Sequence, residues 1–325
     1  MGGKRPHYEL SGIHSPGIGA GLSIKVIVNP YANRWQAQKD AAQVEVALRS
    51  AGLTYDLVMT SAPGEGAALA ETAVYEGYEA VIAAGGDGTI SEVVNGLIAA
   101  SGSAPTIPFG IIPIGSANDF VRIVHIPLDI VGAVQVIARG HTRQVDAGRV
   151  NDHYFINNSA AAMEPMITLE QMAITNVDGE MRYLLALVKG LFKMKAWQMS
   201  ITWDQGSYSG PIYLLSVCNT SHTGGFEIAP GAVVDDGMLD LVFALKAPMW
   251  HVLWFLIKML RGGKHIHDPV VTFVRTRKVQ VTSEPGTPLH ADGEILTRSE
   301  TAVSFEVLPG KVTLFSPPVP SATGK

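Results

Sequence analysis

Residues 80–89 read AVIAAGGDGT, and this stretch decides the fold of the chain. Its first five residues are apolar without interruption, which is typical of a strand buried on both faces of a parallel sheet. A loop with three glycines around Asp87 follows, and a helical pattern begins at Thr89. The order of strand, glycine-rich loop and helix predicts an open α/β sheet with this loop at one edge.

The sequence on both sides of this stretch repeats the same alternation. Strands are predicted over residues 24–28, 54–59, 80–84 and 109–112, and helices over residues 34–50, 65–75 and 89–99. Strands that alternate with helices at such spacings predict a doubly wound parallel sheet. We therefore expect an N-terminal α/β domain over residues 24–143, preceded by a flexible leader at residues 1–23.

After about residue 140 the pattern changes to short strands separated by turn signals. Strands are predicted over residues 144–150, 154–158, 199–203, 208–217, 239–245, 270–282 and 302–307, and helices over residues 181–193 and 248–260. Runs of strands with few helices are typical of an antiparallel arrangement. The sequence predicts a second, mainly antiparallel β domain over residues 144–308.

The composition excludes several classes of protein. The 325 residues carry a formal net charge of −5, so no basic field favours nucleic acid. A single cysteine, Cys218, excludes a disulfide framework and a cysteine-rich zinc module. The sequence has neither an apolar run long enough to span a bilayer nor the apolar core of a signal peptide. We expect a cytoplasmic protein that does not bind nucleic acid.

The loop Gly85-Gly86-Asp87-Gly88-Thr89, called the glycine loop below, is the strongest candidate for a ligand site. Glycines let the backbone approach a ligand closely, and the N–H groups that open the next helix attract an anion. Taken alone, the pattern also fits a plain glycine-rich turn, although such a turn does not require Asp87. The chain contains neither a Walker A motif nor a dinucleotide-binding fingerprint after a strand.

Two more polar loops follow predicted strands. Residues 113–120, called the second loop, contain Ser116 as a helix cap and Asp119 in the first turn of a helix. Taken alone, this pattern also fits simple helix capping. Asn29 and Pro30 end the first strand. Because parallel strands end at the same edge, three polar loops there predict a nucleotide crevice.

Together, these residues resemble the diacylglycerol kinase catalytic-domain family, which includes bacterial lipid kinases and sphingosine kinases and lies in the NAD kinase-like superfamily. The resemblance extends over about residues 24–315. It is carried by Asn29-Pro30, the glycine loop, the second loop with Asn118-Asp119-Phe120, Asp235-Asp236-Gly237-x-Leu239-Asp240, and Asp292-Gly293-Glu294. The glycine loop alone is shared with NAD kinases and is related to phosphofructokinases, so the later motifs make the lipid-kinase interpretation specific.

The resemblance implies an α/β domain like that of NAD kinase and phosphofructokinase, and a C-terminal β-sandwich. It also implies that the tail, about residues 309–325, returns to the first domain. ATP is then expected in the crevice. The implied nucleotide-binding residues are Asn29, Pro30, Asn33, Arg34, Thr60, Gly85, Gly86, Asp87, Gly88, Thr89, Ser91, Ser116, Asn118 and Asp119.

The resemblance also implies the catalytic groups. By this resemblance, Glu294 corresponds to the general base of the family. A lipid hydroxyl is a poor nucleophile, so it needs such a base within hydrogen-bond reach. Asp292 and Asp87 are implied as holders of catalytic Mg²⁺, which takes oxygen ligands. A structural Mg²⁺ site is implied at Val233, Asp236 and Met238.

The sequence departs from the family pattern in two places. The loop that follows the first predicted strand, called the first loop, has no glycine after Asn29-Pro30. Arg34 is expected to compensate by donating hydrogen bonds to a phosphate. Ser116 replaces the threonine that is more common at this position in the family, and the serine keeps the hydroxyl group.

The sequence analysis therefore predicts an ATP- and Mg²⁺-dependent kinase of diacylglycerol or a related long-chain lipid. The alternatives are an NAD kinase-like enzyme with a soluble substrate and a non-catalytic nucleotide- or lipid-binding regulator. Residues 248–264 combine Trp250 and Trp254 with nearby basic residues, so this helix either packs on the β domain or contacts the inner face of a membrane. The sequence leaves a homodimer open.

Overall fold

A computed structural model describes residues 22–31, 37–174, 179–224, 226–260 and 264–318. The N-terminal half alternates strands and helices as the sequence predicts. Its elements are β1 (Ile24–Val28), α1 (Ala37–Ser50), β2 (Tyr55–Met59), α2 (Glu65–Tyr75), β3 (Ala80–Gly85), α3 (Asp87–Ser101), β4 (Phe109–Pro113), α4 (Asp119–Ile123) and α5 (Ile130–Arg139). The flexible leader was predicted over residues 1–23, and residues 1–21 of it lie outside the described residues, as do Asn33 and Arg34.

The four strands of this half form a parallel sheet in the order β2-β1-β3-β4. Side chains alternate between its faces: Ile27 and Val81 pack among residues of α2 and α3, whereas Val26 and Ile82 pack among residues of α1 and α5. Both faces are therefore covered by helices, which is why these strands are apolar throughout. This confirms the predicted doubly wound sheet.

The C-terminal half consists mainly of antiparallel strands, as predicted. Its elements are β5 (Thr142–Val150), β6 (His153–Phe155), β7 (Asn158–Ala162), α6 (Met163–Ala173), α7 (Gly179–Phe192), β8 (Trp197–Trp203), β9 (Gly206–Cys218), β10 (His222–Thr223), β11 (Phe226–Glu227), β12 (Leu239–Leu245), α8 (Met249–Leu260), β13 (Val271–Thr276), β14 (Lys278–Ala291) and β15 (Glu294–Phe315), with a 3₁₀ turn at Lys264–His267. One buried cluster, which includes Trp197, Leu215, Phe243 and Phe305, forms the core of this half.

The last strand, β15, joins the two halves. It pairs antiparallel with β14 and then with β5, and near its end Leu314 pairs parallel with Phe109 of β4. Through β15, thirteen strands of the described residues form one continuous sheet. The division of the chain near residue 143 stays a prediction, because β5 begins at Thr142 and pairs with β15.

The structure adds elements that the sequence analysis did not identify. Helices α5 and α6 are new, whereas α4 begins at Asp119, where a helix start was predicted. The strand predicted over residues 154–158 is two short strands, β6 and β7. The strand predicted over residues 270–282 is also two, β13 and β14, which Arg277 separates. No helix of the described residues is both long and apolar enough to cross a membrane.

Candidate active site

The polar loops that follow β1, β2, β3 and β4 meet at the carboxyl edge of the parallel sheet. The backbone N–H of Asn29 donates to Ala84 and that of Thr60 donates to Val28, so both residues extend the ladder just past the strands. The Asn29 side chain then donates through Nδ2 to the hydroxyl of Thr89, at 3.0 Å. The first loop and the glycine loop are thereby held together. Pro30, which follows Asn29, is half-buried.

Two glycines allow the glycine loop and the second loop to touch. A Cβ on Gly115 would lie 2.3 Å from Cα of Gly86, and a Cβ on Gly86 would lie 3.2 Å from Cα of Gly115. Gly85 is equally restricted, because its Cβ would lie 2.4 Å from Cβ of Thr89. In contrast, apart from its two chain neighbours and the backbone of α3, no heavy atom of the described residues lies within 4 Å of a Cβ built on Gly88. The start of α3 is therefore open where an anion would bind.

Asp87 begins α3 and links it to α4. Its carboxylate accepts a hydrogen bond from the backbone N–H of Phe120, at 3.3 Å, and so caps the short helix that follows the second loop. Burial raises the pKa of Asp87, and the negative charge of Asp119 raises it further. The geometry assigns Asp87 to the contact between the two loops, and its role in holding Mg²⁺ stays a prediction.

Asn118 presents a buried acceptor to the crevice. Its backbone is left-handed, with φ 54°, and its Nδ2 donates to the carbonyl of Gly115 at 3.0 Å. No hydrogen-bond donor of the described chain reaches its Oδ1, although that atom is buried. A buried acceptor without a donor costs free energy, which a bound ligand that donates would recover. Ser116 is exposed in the same loop.

Asp292, Gly293 and Glu294, called the acidic hairpin below, form the turn between β14 and β15. Ala291 pairs directly with Glu294, so Asp292 and Gly293 are the two loop residues, and both have positive φ, 47° and 85°. This matches the Asp-Gly hairpin turn, in which both central residues have positive φ. The motif therefore forms a tight hairpin turn and also carries the two carboxylates of Asp292 and Glu294.

The Asp292 carboxylate is occupied by backbone donors. It accepts hydrogen bonds from the N–H groups of Ile156 (2.9 Å), Asn157 (2.8 Å) and Asn158 (3.1 Å). Burial raises the pKa of Asp292, whereas these donors and the Ser91 hydroxyl lower it. Because Ser91 belongs to α3, this contact joins the acidic hairpin to the nucleotide half. The role of Asp292 in holding Mg²⁺ stays a prediction.

Glu294 lies at the exposed start of β15, close to α3. Partial burial of its carboxyl raises the pKa of Glu294, and the negative charges of Glu92 and Asp292 raise it further. Glu92, one turn beyond the glycine loop, accepts the backbone N–H groups of Gly64 (2.8 Å) and Gly66 (3.0 Å) at the start of α2. Sequence reasoning missed Glu92, although a carboxylate in an otherwise apolar stretch of α3 was a usable signal.

The loop predicted to hold a structural Mg²⁺ contains an ion pair between Asp236 and Arg275. Asp236 accepts the backbone N–H of Met238 through Oδ1, at 3.0 Å, and its Oδ2 lies 3.2 Å from Arg275. Arg275 also lies 3.3 Å from Asp240. Both oxygens of the Asp236 carboxylate are thus engaged by partners within this chain. The described residues contain no cluster of three or more acidic, histidine or cysteine side chains suited to a metal. The assignment of Val233, Asp236 and Met238 stays a prediction.

Comparison with known proteins agrees with this geometry. Residues 23–150 match the family model described as the diacylglycerol kinase catalytic domain. Residues 161–316 match that of the YegS C-terminal NAD kinase beta sandwich-like domain. Diacylglycerol kinases of Staphylococcus aureus strains MRSA252 and Newman are each 33% identical over 272 residues, which cover 83% of this chain and 85% of theirs.

Two crystal structures from Bacillus anthracis str. Sterne share the fold. One superposes with a TM-score of 0.76 at 22% identity, and another, described as a diacylglycerol kinase, with a TM-score of 0.69 at 20% identity. Each alignment covers 91% of this chain and 97% of the other. The sequence relatives extend over both halves, and both halves match the family's domains in order. The chain therefore belongs to the diacylglycerol kinase family, whose members are kinases that phosphorylate an alcohol group.

Proposed function

We propose that the protein is an ATP- and Mg²⁺-dependent lipid kinase that phosphorylates a hydroxyl of diacylglycerol or a related long-chain lipid. One observation carries the proposal: the acidic hairpin lies against α3 directly beyond the glycine loop, through the contact of Asp292 with Ser91. A carboxylate suited to accept a proton is thereby held near a site suited to hold phosphates. Phosphoryl transfer needs these two parts in one place.

The glycine loop and the second loop would bind the nucleotide. The open backbone at Gly88 and the start of α3 suit the phosphates, since unpaired N–H groups and the helix dipole favour negative charge there. The buried Oδ1 of Asn118 suits a donor group of the nucleotide. Mg²⁺ enters as part of the MgATP substrate and neutralises charge on the phosphate oxygens. Asp87 and Asp292 are the residues of this chain expected nearest to that ion.

Glu294 would act on the acceptor. The hydroxyl oxygen forms a bond to the γ-phosphorus, the bond from that phosphorus to the β,γ-bridging oxygen breaks, and ADP leaves. The hydroxyl proton passes to the Glu294 carboxylate. Its raised pKa brings this base nearer to working pH than an ordinary glutamate, which makes proton transfer more favourable.

The substitution Glu294→Gln tests this role. It keeps the size of the side chain and removes the base, so we expect transfer to lipid to fall by about 10²–10⁴-fold. Binding of ATP should stay within a factor of about two of the wild type, because the hairpin lies on the acceptor side. Glu306→Gln is the matched control: Glu306 lies on the same strand and pairs with Arg149 at 2.5 Å. A Glu294→Gln variant with full turnover would remove Glu294 from the mechanism.

Helix α8 supports a proposed contact with a membrane surface, where a long-chain acceptor resides. Met249, Trp250 and Trp254 are 46%, 68% and 49% exposed, although apolar side chains of this size are usually buried. Lys246, just before the helix, is exposed as well. Exposed tryptophans beside basic residues are typical of helices that lie at an anionic bilayer surface. Peripheral contact at the inner face of the membrane is consistent with this surface.

A further inference from the structure

A buried polar cluster lies directly behind the acidic hairpin. His290, 1% exposed, places Nε2 at 3.2 Å from Oε1 of Glu164, whose side chain is 15% exposed. Asn158, fully buried, donates through Nδ2 to the same Glu164 oxygen at 2.8 Å and to the Ser216 hydroxyl at 3.0 Å. The phosphoryl transfer described above uses none of these side chains.

The histidine holds one loop residue of the hairpin. The backbone N–H of Gly293 donates to Nδ1 of His290, at 3.3 Å. Nδ1 therefore has to carry a lone pair, which leaves the proton of the neutral ring on Nε2, the atom that faces Glu164. The carboxylate of Glu164, 3.2 Å from Nε2 but not aligned for a hydrogen bond with it, favours through its negative charge the tautomer that can accept from Gly293.

The asparagine holds the other loop residue. The backbone N–H of Asp292 donates to the carbonyl of Asn158 at 2.8 Å, and the backbone N–H of Asn158 returns a hydrogen bond to the Asp292 carboxylate. Glu164 therefore contacts two side chains, and each of their residues fixes one loop position of the hairpin.

Filling a protein core with polar and ionised side chains is energetically unfavourable. Burying a carboxylate and an imidazole costs more free energy than burying apolar residues of the same volume, unless both are well paired. Burial alone would raise the pKa of Glu164, but His290, Asn158 and Ser216 lower it, so the carboxylate stays ionised. An ionised carboxylate buried at this place points to a task beyond packing.

We propose that His290, oriented by Glu164, is a positioning residue that fixes the Gly293 amide and thereby the direction of the Glu294 carboxylate. This inference rests on the proposed role of Glu294 as the base. The hairpin has only two loop residues, so a rotation of the Gly293 peptide changes where β15 begins and where Glu294 points. A displacement of about 1 Å of a reacting group can cost on the order of 10²-fold in rate.

Two substitutions of the same histidine separate positioning from packing. His290→Asn keeps an acceptor near Nδ1 for Gly293, whereas His290→Gln keeps a polar group near Nε2 for Glu164 and loses that acceptor. We expect His290→Asn to retain kcat within about threefold, and His290→Gln to lose kcat by on the order of 10²-fold with KM for ATP unchanged. Glu164→Gln should lower kcat in the same way, and the double variant should be no worse than either single one.

His265 provides the matched control. It is also a buried histidine of the C-terminal half, 1% exposed, and its Nε2 lies 2.9 Å from the carbonyl of Ile228, away from the hairpin. His265→Gln should lower the thermal stability without lowering kcat of the folded enzyme. Hydrogen exchange at the Gly293 amide supplies a second measurement, and we expect faster exchange in His290→Gln than in His290→Asn.

Different results would contradict the role of His290 in positioning and the role of Glu294 as the base. If Glu294→Gln is inactive while His290→Asn and His290→Gln have equal kcat and equal exchange at Gly293, positioning by His290 is overturned and the base remains. If Glu294→Gln is fully active, the proposed base is overturned, and the inference about His290 is overturned with it.

Discussion

At the scale of single residues, the contact between Gly86 and Gly115 determines whether the two nucleotide loops can meet. The substitution Gly115→Ala would place a methyl group 2.3 Å from the Gly86 backbone, which has no side chain that could move aside. We expect a loss of about 1–3 kcal/mol in unfolding free energy, as for other overpacked sites, together with weaker binding of ATP. Thermal denaturation and nucleotide titration measure the two effects.

Gly88→Ala is the matched control for that substitution. Its methyl group would enter open space at the start of a helix, so the unfolding free energy should change by less than about 0.5 kcal/mol. Binding of ATP should nevertheless weaken, because the methyl group occupies the proposed path of the phosphates. If both variants lose stability equally, the close approach of the two loops is not what requires glycine.

Glu294 gives a second prediction at this scale, a dependence of rate on pH. The base works only when ionised, and its pKa is raised above the ordinary value of about 4.3 for glutamate by burial and by two neighbouring carboxylates. Turnover should therefore fall on the acid side at a higher pH than an unperturbed glutamate gives. Glu92→Gln removes one of the neighbouring charges, so the acid limb of kcat should shift to lower pH. If the acid side of the pH profile of kcat is the same in Glu92→Gln as in the wild type, the proposed effect of the Glu92 charge on Glu294 is contradicted.

At the scale of elements, helix α8 has an exposed aromatic surface, and hydrogen bonds to Asp268 hold it in place. Asp268 accepts hydrogen bonds from His251 and Lys258 of the helix, each at 2.7 Å. Burial alone would raise the pKa of Asp268, but these partners lower it to about 2. Their contribution to stability is thus present above the unfolded value of about 3.9 and is lost as the pH falls through about 2. Across physiological pH, the helix should stay fixed while Trp250 and Trp254 face solvent.

The double substitution Trp250→Ala/Trp254→Ala tests the proposed membrane contact. We expect wild type to co-sediment with phosphatidylcholine vesicles that contain phosphatidylglycerol, more strongly at low salt, and the variant to lose most of this binding. Tyr75→Ala is the control, since Tyr75 is 70% exposed but lies on α2 of the other half. Equal sedimentation of all three proteins would contradict the assignment of α8 as the contact.

Elements with a strong local pattern could be predicted from the sequence, and those set by long-range pairing could not. The spans of β1, α2 and β12 match the predicted ones, because each is bounded by turn or capping residues and keeps one period throughout. Helix α6 was not predicted, although Pro165 in its first turn is compatible with a helix start. Strand β15 was predicted only over residues 302–307, because Pro309 and Gly310 look like a turn although the strand continues through them with a bulge.

The candidate site shows the same limit. Motifs that are contiguous in sequence, such as the glycine loop and the acidic hairpin, could be identified from their residues. Glu164 and His290 carry no local signal of their own, and Glu92 offers only a carboxylate in an apolar stretch. All three enter the site because α3, α6 and β14 pack around the hairpin. Such residues depend on tertiary contacts that a single sequence does not reveal.

At the scale of the whole molecule, β15 connects the two halves of the chain that contribute to the candidate site. Its first residue is Glu294, and near its end Leu314 pairs with Phe109 of β4 in the nucleotide half. The proposed base and the nucleotide crevice are therefore connected through one strand as well as through the contact of Asp292 with Ser91. In the proposed function, a crevice built in this way would hold the acceptor close to the γ-phosphate, which is most of what phosphoryl transfer requires.

The most direct test of the central claim is transfer of labelled γ-phosphate from ATP with Mg²⁺ to a panel of acceptors. The panel contains diacylglycerol and other long-chain lipids in mixed micelles, with NAD as the soluble acceptor, and Glu294→Gln is assayed beside the wild type. We predict a labelled lipid from the wild type, none above background from Glu294→Gln, and no labelled NADP from either. Labelled NADP without a labelled lipid would contradict the account in favour of a soluble substrate, and ATP binding with transfer to no acceptor would favour a non-catalytic regulator.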